Sequence, residues 1–123
     1  MKYELEKDFQ KDCNNYLDLM RSSGYLIDYI HLPKMVNSYG KGKMGLNKNR
    51  KGKPDLYVIM SGGRVIMIEL KIKNKNLEPE QAEYLGRYNK MGYRTYVVND
   101  DFEEFKSIIE GHLNDIDFKE SGV

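Results

Sequence analysis

The sequence predicts an α/β domain in which helices flank a mixed β-sheet. Apolar residues recur every three or four positions in three segments, the period of a helix with one buried face. Other segments are rich in Val, Ile and Met and are bounded by Gly or Asn, as strands are. In chain order these elements read helix, strand, strand, strand, helix, strand, helix. At 123 residues, 40% of them hydrophobic, the chain has the usual size of one domain, so we expect a single domain over residues 1–123.

The first predicted helix covers about residues 3–22 and ends near Gly24, which readily takes the left-handed conformation of a helix cap. A strand over Tyr25–Leu32 follows directly. The apolar positions of the helix share spacings of three and four: Leu5, Phe9, Cys13, Tyr16, Leu17 and Met20.

A β-hairpin is the clearest structural signal. Asp55–Met60 and Arg64–Lys73 are its two arms, and Ser61–Gly63 is its turn. The second arm carries Ile and Leu on one face. Its other face begins as apolar and ends in Glu69 and Lys71, which is typical of an interior strand.

The second half of the chain supplies the last helix, strand and helix. Pro79 suits the first turn of a helix that ends near residue 92. A strand over Tyr93–Val98 comes next. Asp100 or Asp101 then caps a final helix that reaches about residue 113.

Charge is distributed unevenly, although 20 Lys and Arg nearly balance 19 Asp and Glu. The segment 33–54 holds seven basic residues and no acid, and residues 115–123 are predicted to be a frayed tail. Taken alone, such a charge run favours a solvated linker. Because it adjoins a cluster of acids, we expect a basic loop that binds nucleic acid. Its candidate contacts are Lys41, Lys43, Lys48, Arg50, Lys51 and Lys53.

Several protein classes are excluded. The longest apolar run, Leu56–Met60, has five residues, far below the ~20 needed to cross a bilayer. No apolar signal region follows Met1, so we expect a cytoplasmic protein, in the host cytoplasm if a phage encodes it. One cysteine and two histidines do not support a disulfide framework or a zinc site. Any metal would therefore be held by oxygen.

The length of the hairpin turn decides whether Asp55 joins Glu69. With a three-residue turn, Met60 faces Arg64 and Asp55 lies opposite Glu69, whereas a two-residue turn places Asp55 opposite Leu70. We predict the three-residue turn. Two opposed carboxylates, about 4.5–5.5 Å apart at Cβ, repel each other unless a cation lies between them.

Mg²⁺ suits such a pair, with Mn²⁺ as a substitute, because Mg²⁺ takes one or two carboxylates and favours phosphate oxygens. Lys71, on the same face, would orient a water or stabilise the transition state. The simpler interpretation is a surface ion pair between Glu69 and Lys71, with Asp55 only beginning a strand. The joint occurrence of these residues beside a basic loop favours function.

Four motifs resemble those of the VRR-Nuc domain, a branch of the PD-(D/E)xK nuclease superfamily. They are Gly52–Asp55 (G-x-P-D), Glu69–Lys71 (E-x-K), Leu77–Gln81 (L-E-P-E-Q) and Glu6–Gln10 (E-x-x-apolar-Q). The similarity runs in order over roughly residues 6–113. It implies a restriction-endonuclease-like core.

The resemblance also implies roles for individual residues. Asp55, Glu69 and the backbone carbonyl of Leu70 would ligate the metal, together with Glu6, for which Glu4 is the competing candidate. Lys71 would be the catalytic lysine, and Gln81 would position the site or the phosphate. One departure is Glu78, where the family often has the Ser or Thr of a helix cap. The implied metal ligands are Glu6, Asp55, Glu69 and Leu70, and the implied catalytic residues are Asp55, Glu69, Lys71 and Gln81. Glu78 is the position that differs from the family pattern.

We therefore expect a Mg²⁺-dependent endonuclease that hydrolyses DNA phosphodiesters. Nothing in the sequence reads bases, so we expect selection of branched DNA by structure, and the resemblance implies four-way junctions and a homodimer. Two alternatives stay open. One is a non-catalytic DNA-binding subunit with the same fold, and the other is a sequence-specific restriction-type nuclease.

Overall fold

The structure is a computed structural model that describes residues 3–32 and 51–114. The predicted element order is confirmed. Three helices and four strands are present in this part of the chain: α1 (Glu6–Ser22), β1 (Ile27–His31), β2 (Leu56–Met60), β3 (Arg64–Lys71), α2 (Pro79–Lys90), β4 (Arg94–Asn99) and α3 (Phe102–Asn114). Most of the predicted basic loop and the predicted tail lie outside the described residues. None of the described helices is long and apolar enough to cross a membrane.

The strands form one mixed sheet in the order β1-β2-β3-β4. The first three strands are antiparallel, and β4 runs parallel to β3. In the hairpin, Met60 pairs with Arg64 and Leu56 pairs with Ile68, so the turn Ser61–Gly63 has three residues. This confirms the register predicted from the sequence.

The two faces of the sheet have different partners. Even-numbered residues of β2 and β3 face the main core, to which α1 contributes Phe9, Cys13 and Leu17 and α3 contributes Phe105, Ile109 and Leu113. Odd-numbered residues face α2, as the Tyr57–Tyr88 hydroxyl contact of 3.1 Å shows. Asp55, Glu69 and Lys71 have odd numbers and therefore belong to the α2 face.

Some element ends differ from the predictions because of local backbone geometry. β3 ends at Lys71 rather than Lys73, since Lys73 and Asn74 both have φ 55° and Lys75 N–H donates to the Ile72 carbonyl at 3.2 Å. These residues form a tight turn of the kind that needs positive φ at its two central positions.

The predicted helix ends are close to the observed ones. Gly24 has φ 102° after α1, as the sequence predicted. Of the two caps proposed for α3, Asp101 is the one in place, because its Oδ1 accepts the Glu104 N–H at 3.0 Å. Asp100 bonds elsewhere, at the end of β3.

Candidate active site

Asp55 and Glu69 are both fully buried where β2 begins and β3 approaches its end. Extending the observed register by one residue places Asp55 opposite Glu69, on the α2 face of the sheet. Asp55 Oδ2 also accepts the Leu70 backbone N–H at 2.8 Å, which fixes the aspartate against β3. The hairpin thus brings together two acids that lie 14 positions apart in sequence.

Lys71 lies beside this pair. Its side chain is 8% exposed, and its Nζ lies 3.9 Å from Glu69 Oε2. The interpretation of Glu69 and Lys71 as a surface ion pair is therefore wrong, because both side chains are buried. Lys71 lies close to Glu69, and Asp55 accepts the Leu70 N–H, so two acids and one lysine share a site that is shielded from water.

Gln81 holds Glu69 from the first turn of α2. Its Nε2 donates to Glu69 Oε2 at 2.9 Å, and its Oε1 accepts the Glu78 N–H at 2.8 Å. Since the carbonyl side of the amide is used by the helix start, the amino side is directed at the carboxylate. Gln81 therefore orients Glu69.

The same contacts explain the departure at Glu78. This residue occupies the position before α2 where a Ser or Thr cap was expected. The Glu78 N–H donates to Gln81 Oε1, and the Glu78 side chain accepts the Gln81 backbone N–H, so a capping box forms without a hydroxyl.

Gly52, the first residue of the G-x-P-D motif, has a steric role. Its φ is 84°, and a Cβ built there would lie 2.7 Å from Glu80 Cβ. Only glycine therefore fits between this segment and the start of α2. The neighbouring Lys51 pairs with Glu80 at 3.2 Å. A hydrogen bond from the backbone N–H of Glu80 to its own carboxylate, and then Lys51, lower the pKa of Glu80 below its usual value. The segment leading to Asp55 is thus anchored on α2.

Two predicted site residues belong to α1. Glu6 begins the helix and is half-buried. Four residues on, Gln10 has a buried Nε2 with no hydrogen-bond partner in the part of the chain that the structure describes. Glu4, the competing candidate for a ligand, is exposed and pairs with Lys73 at 3.2 Å.

The donor set of the hairpin fits a hard divalent cation. Asp55 and Glu69 offer carboxylate oxygens, and Leu70 lies between Glu69 and Lys71 with its carbonyl as the predicted further donor. Within residues 3–32 and 51–114, no three His, Cys, Asp or Glu side chains are grouped as a metal cage. Two carboxylates are a donor set that Mg²⁺, which keeps several waters, can accept.

Of the predicted nucleic-acid contacts, Lys51 and Lys53 lie within the described chain, and Lys41, Lys43, Lys48 and Arg50 lie outside it. Lys51 is exposed and Lys53 is half-buried, both just before Pro54 and Asp55. Positive side chains therefore adjoin the acidic pair along the sequence.

Asp100 is a buried acid that sequence reasoning assigned only to a possible helix cap. It is 6% exposed, has φ 62°, and its carboxylate accepts the backbone N–H of Tyr3, at the start of the described chain, and that of Lys73, after β3. Its partners are distant in sequence, so no local pattern reveals it.

Comparisons with known proteins agree with this architecture. A family model described as the VRR-NUC domain matches residues 38–101, more than half of the chain. A solved structure described as a VRR_NUC domain is 25% identical, with a TM-score of 0.60, and the match covers 85% of this chain and 94% of that one.

A second solved structure, described as a VRR_NUC domain protein, is 23% identical and shares the fold, with a TM-score of 0.71 over 97% of this chain and 95% of that one. No curated protein matches the sequence. The mixed sheet with flanking helices is the restriction-endonuclease-like fold expected of these proteins. The chain belongs to the VRR-NUC domain family, whose fold is of the nuclease type.

Proposed function

We propose that the protein is a divalent-metal-dependent endonuclease that hydrolyses DNA phosphodiesters. The observation that carries the proposal is the burial of Asp55 and Glu69 on one face of a hairpin, with Lys71 Nζ 3.9 Å from Glu69. Opposed buried carboxylates destabilise a sheet. A cation bound between them would offset that cost.

Asp55 and Glu69 would hold Mg²⁺, or Mn²⁺ in its place, with the Leu70 carbonyl as a further donor. Glu6 is the additional ligand that the sequence predicts; the described residues do not group it with the two acids, so it would have to approach them from α1. When bound, the ion would lower the pKa of a water and neutralise charge on the phosphate. The chain prepares this site in two ways. The Leu70 N–H fixes Asp55, and the Gln81 amide fixes Glu69.

Lys71 would act on the phosphate itself. Its ammonium is buried and held close to Glu69, so its orientation is restricted before the substrate arrives. A preorganised cation stabilises the negative charge that develops on the phosphoryl oxygens in the transition state. Gln81 would be a positioning residue, because both ends of its amide are already bonded within the protein.

The substrate we propose is branched DNA, such as a four-way junction. Lys51 and Lys53 would contact phosphates, together with Lys41, Lys43, Lys48 and Arg50, and phosphate contacts follow the shape of DNA rather than its sequence. A domain of this size spans little more than one scissile phosphate, so symmetric cleavage of a junction would need a homodimer. Light scattering at working concentration would measure that state, and a monomeric mass would refute the dimer.

The direct test offers linear, nicked, flap and four-way DNA with Mg²⁺, with Mn²⁺ and with EDTA. We expect cleavage only with metal, fastest on a branched substrate. Lys71→Ala and Asp55→Ala should each lower the single-turnover rate by about a hundredfold or more. Lys90→Ala is the matched control, because it removes an exposed lysine at the opposite end of α2 from Gln81.

The outcomes separate the alternatives. Cleavage by Asp55→Ala at the wild-type rate would refute the site. Tight DNA binding without cleavage under either metal would identify a non-catalytic binding subunit. Cleavage of linear duplex at one fixed sequence would identify a restriction-type nuclease.

A further inference from the structure

Asp100 occupies a strained and buried position at the end of β4. Its φ of 62° lies in the left-handed region, which few residues other than glycine and asparagine adopt without cost. Its side chain is shielded from water. A residue in such a conformation persists only where its surroundings hold it there.

Three backbone hydrogen bonds hold it. The Asp100 N–H donates to the Lys71 carbonyl at 2.8 Å. Its Oδ1 accepts the Tyr3 N–H at 2.7 Å, and its Oδ2 accepts the Lys73 N–H at 3.1 Å. Asp100 therefore joins the end of β3, the turn that follows it, and the segment that leads into α1.

These partners adjoin the candidate active site. Lys71 is the last residue of β3 and carries the proposed catalytic ammonium. Tyr3 lies three residues before Glu6, the proposed ligand at the start of α1. The Tyr3 ring also stacks on Phe9, with 4.8 Å between ring centroids, so the bonded N–H belongs to a segment that is itself packed on the helix.

We infer that Asp100 is a positioning residue of the nuclease site, which fixes the Lys71 backbone and the start of α1 relative to each other. The inference rests on the proposed function. A carboxylate is required because each of its oxygens receives a different backbone N–H, and hydrogen bonds to a charged acceptor are the stronger kind. Asparagine keeps the size and tolerates the positive φ, but it supplies only one oxygen acceptor.

The test compares Asp100→Asn and Asp100→Gly with the wild type on the best-cleaved branched DNA. We expect the kcat to fall about tenfold to a hundredfold, more for glycine than for asparagine, because small displacements of reacting groups are costly. The KM should stay within about twofold, since the Asp100 side chain is buried and bonded to backbone N–H groups. Both substitutions suit the positive φ, so the variants should keep a cooperative thermal transition.

The neighbouring Asn99 provides the matched control. Its side-chain amide is paired with Asn74, donating to Asn74 Oδ1 at 2.8 Å and accepting the Asn74 N–H at 3.2 Å. Asn99→Ala removes these bonds at the same strand end and leaves the bonds of Asp100 intact. We expect a melting-temperature decrease and a kcat close to that of the wild type.

A Mg²⁺ titration identifies which connection matters. If the variants need more Mg²⁺ to reach half of their maximal rate, α1 and Glu6 have shifted. If the kcat is lower at saturating Mg²⁺, Lys71 has shifted. Either result supports the inference. An unchanged kcat together with an unchanged Mg²⁺ concentration for half-maximal rate in both folded variants overturns it and leaves the proposed function intact. A kcat that falls only in proportion to the unfolded fraction also overturns it. A wild-type protein that cleaves no DNA overturns the proposed function, and the inference with it.

Discussion

The two ends of β3 bury polar groups in opposite ways. At its start, Arg64 Nη1 lies 2.8 Å from His112 Nδ1, and His112 Nε2 lies 2.6 Å from the Tyr96 hydroxyl. Because a guanidinium only donates, Nδ1 accepts, and the imidazole carries its hydrogen on Nε2 for Tyr96. At this end of β3, both ring nitrogens of the neutral His112 are hydrogen-bonded, and the half-buried cation beside it is Arg64.

The other end brings together two buried acids, Asp55 and Glu69, and Lys71 on the opposite face of the sheet. A folded protein gains little from such a group, since each buried charge loses its hydration. The difference separates two purposes of buried polarity. The Arg64 end bonds both ring nitrogens of His112 within the protein, whereas the Glu69 end is where, under the proposed function, a cation would bind.

The largest expected effect is therefore an increase in the free energy of unfolding when Mg²⁺ is added, which depends on Glu69. Mg²⁺ at a hundred times its dissociation constant should stabilise the wild type by about 2.7 kcal/mol. In Glu69→Gln this gain should be almost lost, because a carboxylate ligand is missing. In EDTA the same variant should equal or exceed the wild type in stability, since one of two opposed charges has been removed. Thermal unfolding with and without Mg²⁺ measures both quantities.

Glu83→Gln is the control for that experiment, because it neutralises an exposed glutamate of α2. It should keep the full response to Mg²⁺. The proposed cation site at Asp55 and Glu69 would be contradicted if Mg²⁺ did not change the melting temperature of the wild type. It would also be contradicted if Mg²⁺ raised the melting temperature of Glu69→Gln as much as that of the wild type.

The Arg64 end should show the reverse pattern. His112→Ala removes both ring hydrogen bonds and leaves a cavity in a site that is 6% exposed, so we expect a loss of about 2–3 kcal/mol. The cleavage rate per folded molecule and the response to Mg²⁺ should stay unchanged. Urea unfolding and single-turnover cleavage below the transition measure the two effects. Loss of cleavage in fully folded protein would mean that the two ends are coupled.

Which features of the fold and the site could be predicted from the sequence depends on how far apart in sequence the contacting residues are. The hairpin register could be predicted because the Ser61–Gly63 turn is local and its length fixes which residues face each other. The pairing of Asp55 with Glu69 follows from that turn alone. The interior position of β3 was likewise predictable, since its apolar residues occupy both faces.

Contacts between distant segments could not be predicted in the same way. The hydrogen bonds of Asp100 join residues that are 97 and 27 positions apart in sequence. Its positive φ could not be predicted from the spacing of apolar residues. Gln81 was predicted as a site residue, but its double role follows only from the packing of α2 against β3. The Arg64–His112 contact joins β3 to the last helix and was not foreseen.

The smallest expected effect concerns Cys13, which faces the core beneath the acidic end. Burial, followed by the charges of Asp12 and Asp55, raises the pKa of the Cys13 thiol above its usual value. The folded state therefore favours the protonated thiol. Its contribution to stability is complete below the ordinary thiol pKa and declines as the pH rises beyond it.

Between pH 8 and pH 10 the wild type should lose about 2 kcal/mol more than Cys13→Val, which keeps the shape and cannot ionise. The tyrosines titrate in both proteins, so the difference isolates the thiol. Asp55→Asn should reduce the alkaline loss slightly, because one of the charges that oppose the thiolate is gone. Urea unfolding at the two pH values provides the numbers. An identical alkaline loss in wild type and Cys13→Val would show that the thiol ionises freely in the folded protein, and hence that the core beneath the acidic pair is open to water.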